Sequence, residues 1–240
     1  MRRFAANRVG VRYKPPNSPV TDADLAVDEV LRHELPRPGE GWLSEETPDA
    51  RGRLECRRVW IVDPLDGTRE FLAGIPQWSI SIGLAEDGVA VAGGVYNPSS
   101  DEMFLGALDA GTTRNGRPVL ASDRSSLDGA VVLANRWAFG HWRWPWRRHS
   151  FRTRPVGAVA YALATVAAGS ADALWSRSAK AEWDIAAGTA LITAAGGTVT
   201  TWDGTPYRFN QWPPRAAGLI AAGPRLFPTV RALLDTRHRE

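Results

Sequence analysis

The sequence predicts an α+β protein built from packed layers of helices and sheets, and three patterns carry this prediction. Apolar residues in 21–35 recur at helical spacing. Residues 78–84 alternate between apolar residues and serine or glycine, which is the period of strands. Residues 131–234 alternate short apolar runs with helical patterns. This order of elements favours layered packing over a helix bundle.

The helix predicted at 21–35 begins after Pro19, and Thr21 with Asp24 is typical of a capping box. Its apolar face is predicted to consist of Val27, Val30, Leu31 and Leu35. Proline and glycine at 36–39 end it.

An antiparallel meander is predicted for the rest of the first half. The apolar run 59–62 indicates a buried strand. Strand 78–84 precedes an Asp87-Gly88 hairpin turn into 89–96. A further strand at 103–107 precedes another hairpin signal, Asn115-Gly116.

The second half is predicted to be a mixed sheet with helices. Short strands are expected at 131–133, 173–175, 199 and 219–221, and helices at 157–168, 184–195 and 226–234. A cluster of Ser, Asp and Gly at 121–130 suggests halves of 1–125 and 126–240, which together form one compact unit.

Composition excludes several classes of protein. Cys56 is the only cysteine, so neither an intramolecular disulfide nor a cysteine-based zinc site can form. Residues 1–10 lack the apolar region of a secretory signal. The uncharged stretch 155–171 is too short and too weakly hydrophobic to span a membrane. We therefore expect a soluble cytoplasmic protein.

The strongest chemical signal is an apolar strand that delivers two carboxylates, Asp63 and Asp66, to a turn. Pro64 cannot donate to a strand ladder, and Gly67 lets backbone approach a ligand closely. Two acids beside a helix start suit a divalent cation shared with a phosphate. A charged surface turn explains the same spacing about equally well.

Four further acidic residues are weak signals on their own. Glu45 and Glu46 are adjacent, as is common on solvated surfaces. Asp184 opens an alanine-rich helix, where the helix dipole favours a carboxylate. Asp24 has the capping role described above.

Taken together, these segments resemble the inositol monophosphatase superfamily of metal-dependent phosphatases, over about residues 14–208. The resemblance rests on four segments in the same order as in the family: 18–24 (SPVTDAD), 44–46 (SEE), 63–68 (DPLDGT), and Trp183-Asp184 with Ala187-Gly188 and Gly196-Gly197. It implies a layered α/β/α/β/α sandwich of the sugar-phosphatase type and a Mg²⁺-dependent phosphomonoesterase that Li⁺ inhibits.

The resemblance also implies a role for each matching residue. The metal ligands would be Glu46, Asp63, Asp66, Asp184 and the carbonyl oxygen of Leu65, holding two or three Mg²⁺ ions. Asp24 and Thr68, with Glu46, would orient and deprotonate the attacking water. Glu45 would be an outer partner of the metal site, and the N–H groups of Gly67 and Thr68 would cradle the phosphate. Thr68 can accept a proton only if a base such as Asp24 takes one in turn.

The sequence leaves two kinds of phosphate ester open as the substrate. Segments 66–71 (DGTREF) and 18–21 are more similar to the 3'(2'),5'-bisphosphate nucleotidase branch, which favours the 3'-phosphate of adenosine 3',5'-bisphosphate. An inositol, sugar or histidinol phosphate is the alternative. Two positions where substrate contacts are expected, Asn135 and Ala158, depart from the residues that relatives often carry.

Two features bear on partners. Segment 141–154 interleaves arginines with tryptophans, which suits either nucleic-acid binding or a connector that packs on the core, and the connector is favoured. A catalytically weak paralogue that binds RNA or protein through this segment is therefore a third reading. Relatives carry a full first helix before Thr21, so the short segment 1–20 predicts that this helix is lost or that Met1 is an internal start. Homodimers are common in the family, which leaves a homodimer open here.

Overall fold

An N-terminal hairpin and a helix open the described part of the chain. The computed structural model describes residues 9–15, 17–135 and 150–235. Strand β1 (Val11–Lys14) pairs antiparallel with β2 (Ser18–Thr21), and α1 (Asp22–Glu34) follows directly. The predicted capping box is confirmed, because Thr21 and Asp24 each bond the other's backbone N–H. The hairpin itself was not predicted.

The predicted buried face of α1 is wrong in part. Its buried residues are Asp24 and Asp28, whereas Val30 is 59% exposed. The helix therefore turns carboxylates, rather than an apolar stripe, toward the neighbouring sheet. The buried carboxylate of Asp28 is hydrogen-bonded at both oxygens, because it accepts from Thr47 Oγ1 at 2.5 Å and from the Ser44 hydroxyl.

A seven-stranded sheet fills the first half and confirms the meander. Its strands are β3 (Gly41–Ser44), β4 (Arg58–Asp66), β5 (Ser79–Glu86), β6 (Val89–Asn97), β7 (Glu102–Ala107), β8 (Gly111–Arg114) and β9 (Arg117–Val119), in that order. All neighbours pair antiparallel except β3 with β4, which are parallel. A 3-10 helix (Gly52–Glu55) lies between β3 and β4, and α2 (Thr68–Leu72) follows β4. Both predicted hairpin turns, Asp87-Gly88 and Asn115-Gly116, have positive φ angles.

A second sheet and three helices make up the rest. The elements are β10 (Val131–Asn135), β11 (Arg152–Val156), α3 (Val159–Ala167), β12 (Ala173–Ser176), β13 (Lys180–Ala181), α4 (Glu182–Ala194), β14 (Thr198–Thr200), β15 (Arg215–Ala216), β16 (Leu219–Ala222) and α5 (Phe227–Asp235). Five strands form a mixed sheet in the order β11-β10-β12-β16-β14, and β13 pairs with β15. Among the described residues, no helix combines the length and apolar character needed to cross a membrane.

Helix α4 is fixed on the first sheet by very close approach. A Cβ at Gly83 would lie 2.7 Å from Ala186 Cβ, and a Cβ at Gly93 would lie 2.4 Å from the carbonyl oxygen of Ala187. Only glycine leaves room for the helix backbone at these positions. The position of α4 over β5 and β6 then sets where its first turn meets the end of β4.

The layers follow from which elements pack together. Helix α1 packs on one side of β4, and α3 and α4 lie on the other side, between the two sheets, while α5 packs on β16. One apolar cluster joins the first sheet, α3, α4 and the second sheet, and another lies between the second sheet and α5. This arrangement confirms the predicted α/β/α/β/α sandwich. The division at residues 125 and 126 stays a prediction.

Candidate active site

The end of β4 is irregular where its two carboxylates lie. The pairing of β4 with β5 shifts register between Asp63 and Asp66, as in a β-bulge, and Pro64 supplies no ladder N–H there. Leu65 N donates to Asp63 Oδ1 at 3.0 Å. Both carboxylates are buried, with Asp63 2% and Asp66 7% exposed. The strand end therefore presents two acids inside the protein rather than on a solvated turn.

Three carboxylates from different elements converge beside this strand end. Oxygens of Glu45, Asp63 and Asp184 lie within 4.8 Å of one another. Glu45 follows β3, and its N–H donates to Val62 O at 3.2 Å, so the pairing with β4 continues one residue beyond the strand. Asp184 lies in the first turn of α4 and accepts from Ala181 N at 3.0 Å. Such a set of hard oxygen donors is what Mg²⁺ or Ca²⁺ takes in proteins.

Asp66 is oriented by the start of α3. Its Oδ1 accepts from Val159 N at 3.2 Å, and its Oδ2 accepts from Ala160 N at 2.6 Å. The positive end of a helix dipole favours a carboxylate at this position. The charge of Asp184 nevertheless acts on Asp66, so Asp66 belongs to the same electrostatic group as the three convergent acids.

The surroundings of these acids disfavour their ionised forms. Burial, followed by the charge of Glu45, raises the pKa of Asp63 well above 3.8. Burial, followed by the charge of Asp184, does the same for Asp66. The pKa of Asp184 is raised to about 6, again by burial first and then by Glu45. Buried acids that repel one another fit a divalent cation, which would neutralise them together.

The structure places Glu45, which the resemblance made an outer partner, among the three convergent acids, and the metal-ligand role of Glu46 stays a prediction. Glu46 lies beside this group with its side chain buried, and it accepts from Lys14 Nζ at 2.8 and 3.0 Å. Since Glu45 continues the β3–β4 pairing, its side chain is directed toward Asp63. The sequence alone could not show which of the two glutamates faces Asp63, because this depends on the register between β3 and β4.

Both lysines of the chain lie at this cluster, and sequence reasoning singled out neither for a role. Lys14, on β1, also donates to Glu45 Oε1 at 3.1 Å. Lys180 is 8% exposed and donates to Ser176 Oγ and to the carbonyl of Ser178, both at 3.1 Å. Burial lowers the pKa of Lys180, and the charges of Asp184 and Asp66 oppose this. The available signal was that 27 of the 29 basic residues are arginine, which makes the two lysines exceptional.

The predicted water-activating pair is brought together. Thr68 Oγ1 lies 3.3 Å from Asp24 Oδ1 and 3.2 Å from the carbonyl oxygen of Leu65, close enough to donate to either. The other oxygen of Asp24 accepts from Thr21 N at 2.9 Å and from the Thr21 hydroxyl. Asp24 is 1% exposed. The capping box therefore holds Asp24 in place for a second contact, with Thr68.

Gly67 makes the turn between β4 and α2. Its φ is +92°, and a Cβ there would lie 3.0 Å from Ala158 Cβ and 3.1 Å from the carbonyl oxygen of Gln77. A side chain would be strained in conformation and crowded by both neighbours. Glycine thus lets Thr68 start a new helix directly beside the acids. The phosphate cradle expected at Gly67 and Thr68 stays a prediction.

Other predicted positions are only partly described. Residues 141–149 of the arginine- and tryptophan-rich segment lie outside the described residues, and residues 152–156 form β11. Ala158 precedes the first turn of α3. The side chain of Asn135 lies outside the described part of the chain.

Comparisons with known proteins agree with this geometry. The family model described as "Inositol monophosphatase family" matches residues 1–237. An inositol-1-monophosphatase of Mesorhizobium japonicum is 38% identical over 204 residues, which cover 81% of this chain and 76% of that protein. A histidinol-phosphatase of Mycobacterium tuberculosis is 34% identical over 216 residues, covering 84% and 81%. The crystal structure of extragenic suppressor protein suhB from Bartonella henselae is 31% identical, with a TM-score of 0.82, and covers 97% of this chain and 90% of its own.

Proposed function

Because the chain belongs to the inositol monophosphatase family of metal-dependent phosphomonoesterases, we propose that it hydrolyses an inositol or sugar monophosphate in the presence of Mg²⁺. The observation that carries the proposal is the convergence of Glu45, Asp63 and Asp184 within 4.8 Å. Asp66 lies in the same electrostatic group and completes the proposed ligand set. The Leu65 carbonyl is proposed as a further ligand. Glu46, whose buried side chain shares Lys14 with Glu45, is proposed as a ligand as well.

Thr68 and Asp24 have separate proposed roles in hydrolysis. Bound Mg²⁺ would supply neutralising charge and lower the pKa of water near the reacting phosphorus. Thr68 would orient that water through its hydroxyl, and Asp24 would take the proton that Thr68 passes on. The Asp24 carboxylate is suited to this because two Thr21 donors fix its position. The family fold needs no covalent intermediate on the protein for such a reaction, since positioning and charge stabilisation suffice.

The relatives bear on the choice of substrate. Those reported above carry the names inositol-1-monophosphatase and histidinol-phosphatase. They support the inositol or sugar phosphate over adenosine 3',5'-bisphosphate, which the segment 66–71 had favoured. Three residues after the shared Asp66-Gly67-Thr68 were too few to decide between branches of one family. Histidinol phosphate remains the second ester to test.

The test is phosphate release from a panel of esters with and without Mg²⁺. The panel contains inositol 1-phosphate, histidinol phosphate, fructose 1,6-bisphosphate and adenosine 3',5'-bisphosphate. We expect inositol 1-phosphate to give the highest kcat/KM, and chelation of Mg²⁺ to abolish release. Preference for the bisphosphate nucleotide would overturn the substrate proposal and keep the reaction. No release from any ester, with Mg²⁺ bound, would overturn the activity and favour the RNA- or protein-binding reading.

Two variants make the same assay specific for the site. Asp66→Asn removes a charge beside the convergent acids, and Asp109→Asn makes the same change at an exposed position after β7. We expect the first to abolish turnover and the second to leave kcat/KM within about twofold. If Asp66→Asn keeps most of its activity with Mg²⁺ present, the proposed metal assignment is wrong.

A further inference from the structure

A second buried cluster of charged side chains lies outside the site described above. It consists of Asp49, Arg53, Glu182, Asn210 and Gln211, and we call it the Arg53 network. Arg53 is 4% and Glu182 is 2% exposed. Charged side chains are rarely buried to this extent unless their hydrogen bonds are satisfied by partners. Nothing in the proposed chemistry uses these groups, so their role requires another explanation.

Arg53 is the centre of the network. Its Nε and Nη2 donate to the two oxygens of Asp49 at 2.9 and 2.7 Å, the bidentate pairing of guanidinium with carboxylate. Its Nη1 donates to Asn210 Oδ1 at 2.6 Å, and its Nη2 also donates to the Gln211 carbonyl at 3.0 Å. The backbone carbonyl of Arg53 accepts from Asn210 Nδ2 at 2.9 Å. Arg53 thus joins the segment after β3 to residues 210 and 211, more than 150 positions later in the sequence.

Glu182 accepts hydrogen bonds from the backbone of the same two residues, Asn210 and Gln211. Its Oε2 accepts from Asn210 N at 2.7 Å, and its Oε1 accepts from Gln211 N at 2.8 Å. Asn210 has a φ of +62°, which aims two successive N–H groups at one carboxylate. Residues 210 and 211 are therefore bound by Arg53 through their oxygens and by Glu182 through their backbone nitrogens.

The two ends of the network adjoin two of the convergent acids. Asp49 lies four residues after Glu45, in the same loop, and Glu182 lies two residues before Asp184, in the same helical turn. Glu45 and Asp184 come from different layers of the fold and must meet within 4.8 Å. The Arg53 network is a continuous chain of hydrogen bonds between the segments that carry them.

We propose that the Arg53 network positions Glu45 and Asp184 for metal binding. This inference rests on the proposed metal site. Without the Arg53 network, repulsion between the two buried carboxylates would separate their segments. Part of the free energy of Mg²⁺ binding would then be used to bring Glu45 and Asp184 together. Partners that hydrogen-bond a metal ligand directly contribute about 10- to 100-fold in metal affinity, and the Arg53 network, which acts through the backbone of the two segments, is expected at the lower end of this range. The Arg53 network therefore contributes to Mg²⁺ affinity without touching the metal, the water or the phosphate ester.

The test uses two matched asparagines with positive φ. Asn210→Gly removes two side-chain bonds to Arg53 and keeps the backbone N–H that Glu182 accepts. Asn115→Gly is the control, because Asn115 has a φ of +49° and its side chain also makes two hydrogen bonds, with Met103 N and the Asp101 carbonyl. Glycine tolerates both conformations, so both variants should fold.

Mg²⁺ binding is measured by calorimetry on the metal-free proteins, alongside their melting temperatures. We expect Asn210→Gly to weaken Mg²⁺ affinity about tenfold and Asn115→Gly to change it less than about twofold, with both proteins folded at the temperature of the measurement. We also expect saturating Mg²⁺ to restore the kcat of Asn210→Gly, because the ligands are displaced rather than removed. Equal affinities for the two variants would overturn the proposal, since a merely structural role predicts equality.

Three further variants separate this inference from the proposed function. Glu182→Gln weakens the other side of the network, and Glu102→Gln makes the same change at a half-buried glutamate on β7. Weaker Mg²⁺ binding in the first alone supports the proposal, and equal binding in both opposes it. Asp184→Asn reports on the site itself. If wild type and Asp184→Asn bind Mg²⁺ alike, the metal assignment fails, and the role of the Arg53 network fails with it.

Discussion

The hydroxyl of Thr68 lies 3.3 Å from Oδ1 of Asp24, although the two residues are 44 positions apart in the chain. Thr68 opens α2 immediately after the acid-bearing turn, and Asp24 lies in the first turn of α1. The capping box of α1 thus has two consequences. It caps the N-terminus of the helix, and it fixes a carboxylate at a position where it can receive a proton from Thr68.

Replacing Thr68 by alanine should slow the chemical step and spare metal binding. The variant loses the hydroxyl that links water to Asp24, and general acid–base groups contribute about 10²- to 10⁴-fold. We therefore expect kcat to fall at least about a hundredfold, with Mg²⁺ affinity changed less than about threefold. Steady-state kinetics and calorimetry measure the two quantities.

Thr68→Ser is the matched control, because it keeps the hydroxyl and removes only a methyl group. It should retain kcat within about tenfold of wild type. If Thr68→Ala is as active as Thr68→Ser, the proton path through Asp24 is incorrect.

Asp63→Asn should stabilise the metal-free protein while it destroys activity. The buried Asp63 carboxylate is repelled by Glu45, Asp66 and Asp184, so removing its charge relieves a cost of folding. An asparagine oxygen can still accept from Leu65 N. We expect a higher melting temperature without metal, no further rise on adding Mg²⁺, and a loss in kcat of at least about a hundredfold.

The exposed change Asp109→Asn again serves as control and should leave all three quantities near those of wild type. A lower melting temperature for metal-free Asp63→Asn would show that mutual repulsion does not dominate the site.

Much of the fold could be predicted from sequence, because its signals are local. Strand period, the Asp87-Gly88 turn and the apolar run into Asp63 each depend on neighbouring residues. The buried face of α1 was mispredicted for a physical reason: this helix packs against a polar site, so its inward residues are Asp24 and Asp28 rather than Val30.

The unpredicted parts of the site depend on distant pairing. Whether Glu45 or Glu46 joins Asp63 depends on how β3 pairs with β4, which the sequence does not display. The bond between Arg53 and Asn210 spans 157 positions. No pattern within a short window indicates such a contact, and only the assembled layers create it.

Stabilisation by Mg²⁺ should depend on pH. Burial and the charge of Glu45 raise the pKa of Asp184 to about 6, from an ordinary value of 3.8. Because the folded pKa is the higher one, the protonated carboxyl favours the metal-free fold at low pH, and this contribution is lost as pH rises through about 6. Mg²⁺ requires the ionised form, so its affinity should fall about tenfold for each displaced proton per pH unit below that value.

Thermal unfolding with and without Mg²⁺ at pH 5 and pH 7.5 checks this. We expect the rise in melting temperature caused by Mg²⁺ to be clearly larger at pH 7.5, and the metal-free protein to lose stability between the two values. An equal Mg²⁺ effect at both pH values would mean that protons and metal do not compete for these carboxylates.

Gly93→Ala should displace α4 from the first sheet and thereby weaken both the fold and the site. The added Cβ would lie 2.4 Å from the Ala187 carbonyl oxygen and 2.9 Å from the Ala187 Cα, both backbone atoms that cannot rotate away. Overpacking of this kind costs about 1–3 kcal/mol in the free energy of unfolding. Asp184 lies one turn before Ala187 on the same helix, so a displaced α4 also moves a proposed metal ligand. Denaturant unfolding and Mg²⁺ calorimetry should both show losses, whereas Gly52→Ala, where a Cβ meets nothing within 4 Å, should change neither. A Gly93→Ala protein with wild-type Mg²⁺ affinity but reduced stability would show that the first turn of α4 is held by the Arg53 network independently of the packing on β6.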